Sequence, residues 1–261
     1  MQISVDGATL DVEDRGDGDA IVLLHGFMLT RDIWDAQADA LSRTHRVVRA
    51  DSRGAGRSSA PSGPYLMEAL AGDVAATMDA LGIERAAIVG HSLGGYVALA
   101  FARMYSERVE RLALVGAKLG EDTPARARFR EDLADEIEAR ADVAPALAAF
   151  LPDMLAPGAA PDLRARVTEI ARKYGPTGAA ALLRGMALRS SSEDIAGDLA
   201  MPVLVLAGAF DAFLPPGDAA AVAAAFPAGR LVTCERSGHL PMLEEPGRTN
   251  ATLAGWLTGE G

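Results

Sequence analysis

The chain has 261 residues, of which 49% are hydrophobic and 23% are charged, and it contains a single cysteine, Cys234. This composition excludes a disordered polypeptide and an internally disulfide-bonded scaffold, and it provides enough apolar residues for one large core. The formal net charge of −11 disfavours nucleic acid as a partner, because phosphate binding requires clustered lysine and arginine.

The cellular location of the protein is predicted from the lack of a membrane-span pattern and of a secretory-signal pattern in the sequence. No segment reaches the ~18–20 consecutive apolar residues of a membrane span. The first residues lack the basic and apolar regions of a secretory signal. We therefore expect a cytoplasmic protein with no membrane span, while the sequence makes no prediction about its oligomeric state.

The predicted elements start with a hairpin and continue as alternating strands and helices. The hairpin strands Ile3–Val5 and Thr9–Glu13 are joined at Asp6-Gly7, a favoured turn sequence. Apolar runs without polar alternation, typical of parallel strands buried on both faces, follow at Ala20–Leu24, Val47–Ala50, Ala86–Val89, Leu112–Gly116 and Pro202–Ala207. Helical patterns separate these runs, for example Met67–Leu81 and Tyr96–Tyr105. This order predicts an α/β fold with a mostly parallel sheet.

The alternation of strands and helices stops between residues 118 and 198. Strand patterns are absent there, and we predict a helical cap, residues 118–198, inserted into a core formed by residues 1–117 and 199–261. Phe129, Leu133 and Ile137 form one apolar stripe at helical spacing. We expect prolines to divide the rest of the segment into short pieces, and these are Pro145, Pro152, Pro157, Pro161 and Pro176.

The sequence Gly90-His91-Ser92-Leu93-Gly94 predicts a nucleophilic serine. It follows an apolar strand and precedes a helical pattern, which is the strand–turn–helix setting of the G-x-S-x-G elbow. The sharp turn strains the serine backbone and leaves room only for small residues two positions before and after it. Glycine occupies both positions, so we predict that Ser92 is the nucleophile.

Two downstream residues complete a predicted catalytic triad. A serine hydroxyl at neutral pH requires a base, which a carboxylate holds in the correct tautomer. Asp211 follows the strand pattern at Pro202–Ala207, and His239 follows the apolar run Leu231–Cys234. The order Ser, Asp, His is the one that this arrangement of strands and helices uses. We predict His239 as the base and Asp211 as the group that orients it.

An oxyanion hole is predicted from two backbone N–H groups. Leu93 directly follows the nucleophile, and Phe27 lies in His25-Gly26-Phe27, after the strand Ala20–Leu24. The Phe27 side chain is also predicted to border the substrate pocket. His25 is interpreted as a residue that braces this loop.

Together these motifs resemble those of the α/β-hydrolase superfamily over nearly the whole chain. The resemblance implies a mostly parallel eight-stranded sheet with helices on both faces and an inserted helical cap. In that family the stretch corresponding to Asp51–Ser58 is structural and orders a loop near the oxyanion hole. Among the branches, the chain looks most like serine esterases and 3-oxoadipate enol-lactonases.

The resemblance implies a serine hydrolase that cleaves a small-molecule ester or lactone with water, without a cofactor. No metal is expected, because histidine, cysteine and carboxylates do not cluster at ligand spacing in the sequence. Arg184 and Arg189, in the cap segment, are candidates for binding a substrate carboxylate. A C–C bond hydrolase or a cofactor-free haloperoxidase or perhydrolase would use the same triad, and a non-catalytic receptor for small molecules could share the fold. The sequence leaves these alternatives open.

Overall fold

The computed structural model describes residues 1–259, in which eight strands form one sheet. The strands are β1 (Gln2–Val5), β2 (Ala8–Arg15), β3 (Ala20–Leu24), β4 (Arg46–Ala50), β5 (Ala86–His91), β6 (Val109–Val115), β7 (Val203–Gly208) and β8 (Gly229–Cys234). Their spatial order is β1-β2-β4-β3-β5-β6-β7-β8. β2 pairs antiparallel with β1 and β4, and all the other pairs are parallel. This topology confirms the predicted mostly parallel eight-stranded sheet.

Helices cover the centre of the sheet on both sides. Every residue of β3, β5 and β7 is buried, and successive strand residues point to opposite faces. Complete burial therefore requires cover on both faces, which explains why these strands are continuous apolar runs. The α-helices within residues 1–259 are α1 (Asp35–Leu41), α2 (Met67–Ala80), α3 (Leu93–Met104), α4 (Pro124–Arg140), α5 (Ala144–Phe150), α6 (Pro161–Ala171), α7 (Pro176–Ala187), α8 (Glu193–Ala196), α9 (Pro216–Ala224), α10 (Pro241–Glu244) and α11 (Pro246–Thr258).

The chain between β6 and β7 contains helices α4 to α8 and no strand, and we call residues 118–198 the helical segment. Its prolines mostly start helices, since α4, α5, α6 and α7 each have proline in the first turn. Proline is favoured there because its missing N–H has no helical partner to lose. The division of the chain into a core, residues 1–117 and 199–261, and a cap, residues 118–198, stays a prediction.

Helix α4 buries only part of its predicted apolar stripe. Leu133 and Ile137 are buried, and α4 packs closely against α7. Phe129 remains 38% exposed, with its ring centroid 6.3 Å from that of Phe150 in α5. The first half of α4 therefore presents an aromatic side chain away from the core.

Among the described residues 1–259, no helix combines the length and the apolar character needed to cross a bilayer.

Candidate active site

Ser92 lies at the sharp turn between β5 and α3. Its φ of 52° is in the left-handed region, which is uncommon for a residue other than glycine and stores backbone strain. The Ser92 N–H donates to the carbonyl of Val115 at 2.8 Å, which ties the turn to the end of β6. A Cβ atom at Gly90 would collide with the Gly94 carbonyl, and one at Gly94 with the Leu24 carbonyl. Crowding at this turn therefore explains both glycines.

His239 and Asp211 are brought together from the ends of β8 and β7. The His239 Nδ1 atom lies 3.0 Å from Oδ1 and 2.9 Å from Oδ2 of Asp211. Asp211 Oδ1 also accepts the N–H groups of Phe213 at 2.8 Å and Leu214 at 3.0 Å. Because an ionised carboxylate only accepts hydrogen bonds, His239 carries its proton on Nδ1. The lone pair of a neutral His239 is then on Nε2.

Ser92 and His239 line the same cavity, whose volume is about 420 Å³. Gly116, directly after β6, forms part of its wall and has a φ of 61°. A Cβ atom there would lie 2.9 Å from Cε1 and Nδ1 of His239 and 3.1 Å from Oδ2 of Asp211. The absence of a side chain at Gly116 thus leaves the space that the imidazole and the carboxylate occupy.

The loop that contains Phe27 runs beside the serine. A Cβ atom at Gly26 would lie 3.2 Å from the Cβ atom of Ser92. Phe27 lines the cavity, with its ring centroid 5.3 Å from Phe150 and 6.0 Å from Tyr174. Leu93 is the first residue of α3, and N–H groups in the first turn of a helix have no intrahelical acceptor. Both predicted oxyanion-hole residues therefore lie next to Ser92, while their role stays a prediction.

His25 links two loops and does not line the cavity. Its Nε2 atom accepts the N–H of Ser52 at 2.9 Å, and its Nδ1 atom lies 2.9 Å from the Gly26 carbonyl. One nitrogen accepts and the other donates, so the ring is neutral. Burial lowers the pKa of His25, which favours the same state. These contacts fit the bracing role expected from the sequence.

The stretch Asp51–Ser58 is held by its own hydrogen bonds. Asp51 Oδ1 accepts the N–H of Arg31 at 2.9 Å, and Oδ2 accepts the N–H of Arg57 at 3.0 Å. The Ser58 hydroxyl donates to the Asp51 carbonyl at 2.6 Å. The carboxylate therefore connects this stretch to the loop that follows Phe27, as its structural interpretation requires.

His91 is a site residue that sequence reasoning missed. It is completely buried, and its Nε2 atom lies 2.9 Å from the backbone carbonyl of His239. The two imidazole centroids are 4.6 Å apart. Burial, and then the nearby charge of His239, holds the pKa of His91 well below its usual range. His91 is therefore a neutral donor that fixes the backbone of His239, at a motif position that accepts any residue.

Glu244 was missed as well, and it fastens the loop of His239. Its Oε2 atom accepts the N–H groups of Gly238 at 2.8 Å and Leu240 at 3.3 Å. Its Oε1 atom accepts the N–H of Ala156, from the helical segment, at 2.7 Å. Burial raises the pKa of Glu244. Both neighbours of His239 are thus held by one carboxylate, which the sequence alone presents as an ordinary helix-end glutamate.

The two arginines proposed from sequence have different surroundings. Arg189 lines the cavity, with its guanidinium carbon 4.1 Å from the ring centroid of Tyr96 and Nη2 3.0 Å from Asp122 Oδ1. Arg184 lies outside the cavity and pairs with Asp135 at 2.6 Å and Glu138 at 2.7 Å. Arg189 therefore stays a predicted substrate contact, while Arg184 is already paired at the surface.

Within residues 1–259, no group of three histidine, cysteine, aspartate or glutamate side chains is arranged to hold a metal ion.

The strained serine after β5, the eight-stranded sheet and the order of the elements together define the class of protein. The family model for the alpha/beta hydrolase fold matches residues 19–246. The chain therefore belongs to the α/β-hydrolase family, which confirms the resemblance found in its sequence.

Individual relatives narrow this class. The AB hydrolase superfamily protein YisY of Bacillus subtilis (strain 168) is 32% identical over 260 residues, which cover 94% of each protein. A thermophilic esterase from Thermogutta terrifontis, solved with malate bound, is 33% identical with a TM-score of 0.96 and covers 100% of this chain and 98% of that one. The enol-lactonase from Burkholderia xenovorans LB400 is 28% identical with a TM-score of 0.88, covering 99% and 100%. The chain is an α/β hydrolase whose neighbours include an esterase and a lactonase.

Proposed function

We propose that this protein hydrolyses carboxylic esters or lactones through an acyl-enzyme formed on Ser92. One observation carries the proposal: the strained Ser92 lines the same cavity as His239, whose Nδ1 atom contacts both carboxylate oxygens of Asp211. The similarity to an esterase and an enol-lactonase supports the same substrate class.

Acylation starts with proton transfer from the serine. His239 Nε2 accepts the Ser92 hydroxyl proton while Oγ attacks the carbonyl carbon. The carbonyl oxygen becomes an oxyanion, which the backbone N–H groups of Phe27 and Leu93 stabilise. The C–O bond to the leaving group then breaks, and protonated His239 donates its proton to the departing alkoxide. With a lactone, the new hydroxyl remains attached to the acyl group.

Deacylation repeats these steps with water as the nucleophile. His239 accepts a proton from water as its oxygen attacks the acyl carbon, and the Ser92 Oγ atom leaves with that proton. Asp211 stabilises the positive charge that His239 carries in each half of the cycle, and it keeps the proton on Nδ1. The products are a carboxylic acid and an alcohol, or one hydroxy acid from a lactone.

The test combines turnover with covalent labelling. Ser92→Ala is expected to lower hydrolysis of 4-nitrophenyl esters by roughly a million-fold, since loss of a triad nucleophile has an effect of that order. A fluorophosphonate should label the wild-type protein and not the variant. Ser62→Ala is a matched control, because Ser62 is exposed and lies outside the cavity. Full turnover by Ser92→Ala would show that the nucleophile is assigned incorrectly.

Product analysis separates the proposal from the other reactions of a serine triad. An esterase releases acid and alcohol in equal amounts from its substrate, and a lactonase converts a lactone into one hydroxy acid. A C–C bond hydrolase would instead cleave a vinylogous diketone acid, and a perhydrolase would form a peracid when hydrogen peroxide is supplied. Failure of a fluorophosphonate to label Ser92, together with no turnover of any of these substrates, would favour a non-catalytic receptor.

A further inference from the structure

The helical segment contributes a concentration of positive charge to the cavity wall. Arg126, Arg130 and Arg189 all line the cavity that contains Ser92. Two of these arginines share one acid, because Asp122 pairs with Arg130 and, at 3.0 Å, with Arg189. The side chain of Asp122 is only 6% exposed, and its single negative charge neutralises one of the two positive charges that it contacts.

Arg126 differs from its two neighbours because it forms no salt bridge with a carboxylate of residues 1–259. The nearby charge of Asp122 still acts on it and raises its pKa, although burial and Arg130 outweigh this effect. Its side chain is half-buried at the start of α4. The guanidinium carbon lies 4.8 Å from the ring centroid of Phe129 and 5.6 Å from that of Phe150. Burial, and then the charge of Arg130, lowers the pKa of Arg126. The side chain is nevertheless a cation, because arginine keeps its proton in proteins.

The other charged groups of the cavity wall leave this excess in place. Glu121 and Asp153 are exposed to solvent, where water screens their charge. Lys118 is occupied by Asp218 at 3.0 Å. Arg189, which is 7% exposed, has a buried Nε atom without a hydrogen-bond partner among the described residues. The wall thus holds donors and positive charge that the protein's own carboxylates do not satisfy.

Resting on the proposed function, we propose that Arg126 binds a carboxylate of the substrate, so that the preferred substrates are esters or lactones that carry a free carboxylate. A guanidinium donates two parallel hydrogen bonds to such a group. The rings of Phe129 and Phe150 hold its plane in position. The cavity volume of about 420 Å³ suits a small molecule. Arg189 is the secondary donor, because Asp122 and the Gly120 carbonyl occupy its terminal nitrogens.

Two pairs of esters test this substrate class. Mono-4-nitrophenyl adipate and 4-nitrophenyl hexanoate differ by a carboxylate on the acyl side. 3-Butanoyloxybenzoate and phenyl butanoate differ by a carboxylate on the alcohol side. The wild type is expected to have a higher kcat/KM for the charged member of at least one pair, which also identifies the side of the ester that faces Arg126.

The variants are compared through the ratio of kcat/KM within a pair. Arg126→Gln should lower the charged-to-neutral ratio roughly 10- to 100-fold, the loss expected for a charge-assisted hydrogen bond. Arg126→Lys should retain an intermediate ratio, because it keeps the charge and loses the planar pair of donors. Arg128→Gln is the matched control, since Arg128 is exposed on the same helix and outside the cavity. Its ratio should equal that of the wild type.

The outcomes separate the inference from the proposed function. Labelling and hydrolysis of neutral esters with an unchanged ratio in Arg126→Gln would overturn the carboxylate site and leave the serine hydrolase intact. Failure of Ser92 to react with any ester or fluorophosphonate would instead overturn the proposed function. As a second readout, glutarate should inhibit hydrolysis of 4-nitrophenyl hexanoate competitively in the wild type and at least 10-fold more weakly in Arg126→Gln. Equal inhibition of both would also contradict the site.

Discussion

Replacing Gly116 by alanine perturbs the contact between His239 and Asp211 without changing either residue. The new Cβ atom would lie 2.9 Å from Cε1 and Nδ1 of His239 and 3.1 Å from Asp211 Oδ2. Nonbonded carbon atoms prefer a separation of about 3.5 Å or more. The imidazole must therefore move by roughly 0.6 Å, or the end of β6 must shift by the same distance.

This displacement translates into a loss of rate. A misplacement of about 1 Å at a catalytic group can reduce turnover by roughly 100-fold. For Gly116→Ala we expect a loss of roughly 10- to 100-fold in kcat on 4-nitrophenyl butanoate. The positive φ of 61° adds a destabilisation of about 1–2 kcal/mol, because a side chain is unfavourable in that region. Both effects are measurable on one preparation, by ester hydrolysis and by urea unfolding.

Gly82→Ala is the control that separates the effect of backbone strain at positive φ from the effect of steric overlap with His239. Gly82 has a similar φ of 66°, and no heavy atom lies within 4 Å of the position of its Cβ. This variant should lose about the same stability, roughly 1–2 kcal/mol, with wild-type kcat. If Gly116→Ala keeps the wild-type kcat, or loses no more than Gly82→Ala, then catalysis does not depend on the space that Gly116 leaves for His239 and Asp211.

Two further predictions concern Asp211 and the buried histidines. Asp211→Asn should lower kcat by roughly 10⁴-fold, because an amide favours the wrong tautomer of His239. Circular dichroism checks that the fold is retained, and a loss of kcat below about 10-fold would contradict the proposed role of the carboxylate. The free energy of unfolding should fall as the pH drops below about 6.5. Burial lowers the pKa values of His25 and His91, so the unfolded chain takes up protons that the folded chain refuses. Each such histidine contributes up to about 1.4 kcal/mol per pH unit. The free energy of unfolding, measured with urea between pH 7 and 5, should therefore depend less steeply on pH for His91→Phe than for the wild type. An equal dependence on pH would show that His91 is not a buried neutral histidine.

The elements of the site that follow from local geometry could be predicted from the sequence. The turn at Ser92 requires glycine two positions before and two positions after it, and this requirement appears in the sequence as the G-x-S-x-G pattern. Asp211 and His239 could be placed because each follows a strand, and parallel strands end at one edge of the sheet. The sheet itself was predictable because its central strands are buried on both faces and are therefore continuous apolar runs.

The residues that could not be predicted depend on contacts between distant segments. His91 fixes the carbonyl of His239 across 148 positions, and its place in the motif carries no preference for histidine. Glu244 is close in sequence to His239, yet its third hydrogen bond comes from Ala156. Among the described residues, Arg126 forms no salt bridge because Asp122 pairs with Arg130 and with Arg189 instead. Arg189 is 67 positions away from Asp122 in the sequence. A sequence shows the charges and leaves their pairing undetermined.

The loop of His239 is hydrogen-bonded to the helical segment, and this connection limits which substitutions could alter substrate selectivity. The His239 N–H donates to the Met154 carbonyl at 3.0 Å, and Ala156 is bound by Glu244. These hydrogen bonds connect the helical segment, which lines the pocket, to the loop of His239. Exchanging the whole helical segment for that of another hydrolase would therefore disturb the position of His239 together with the pocket. Exchanges that leave residues 154–156 in place, and vary α4 alone, would alter selectivity while the chemistry continues.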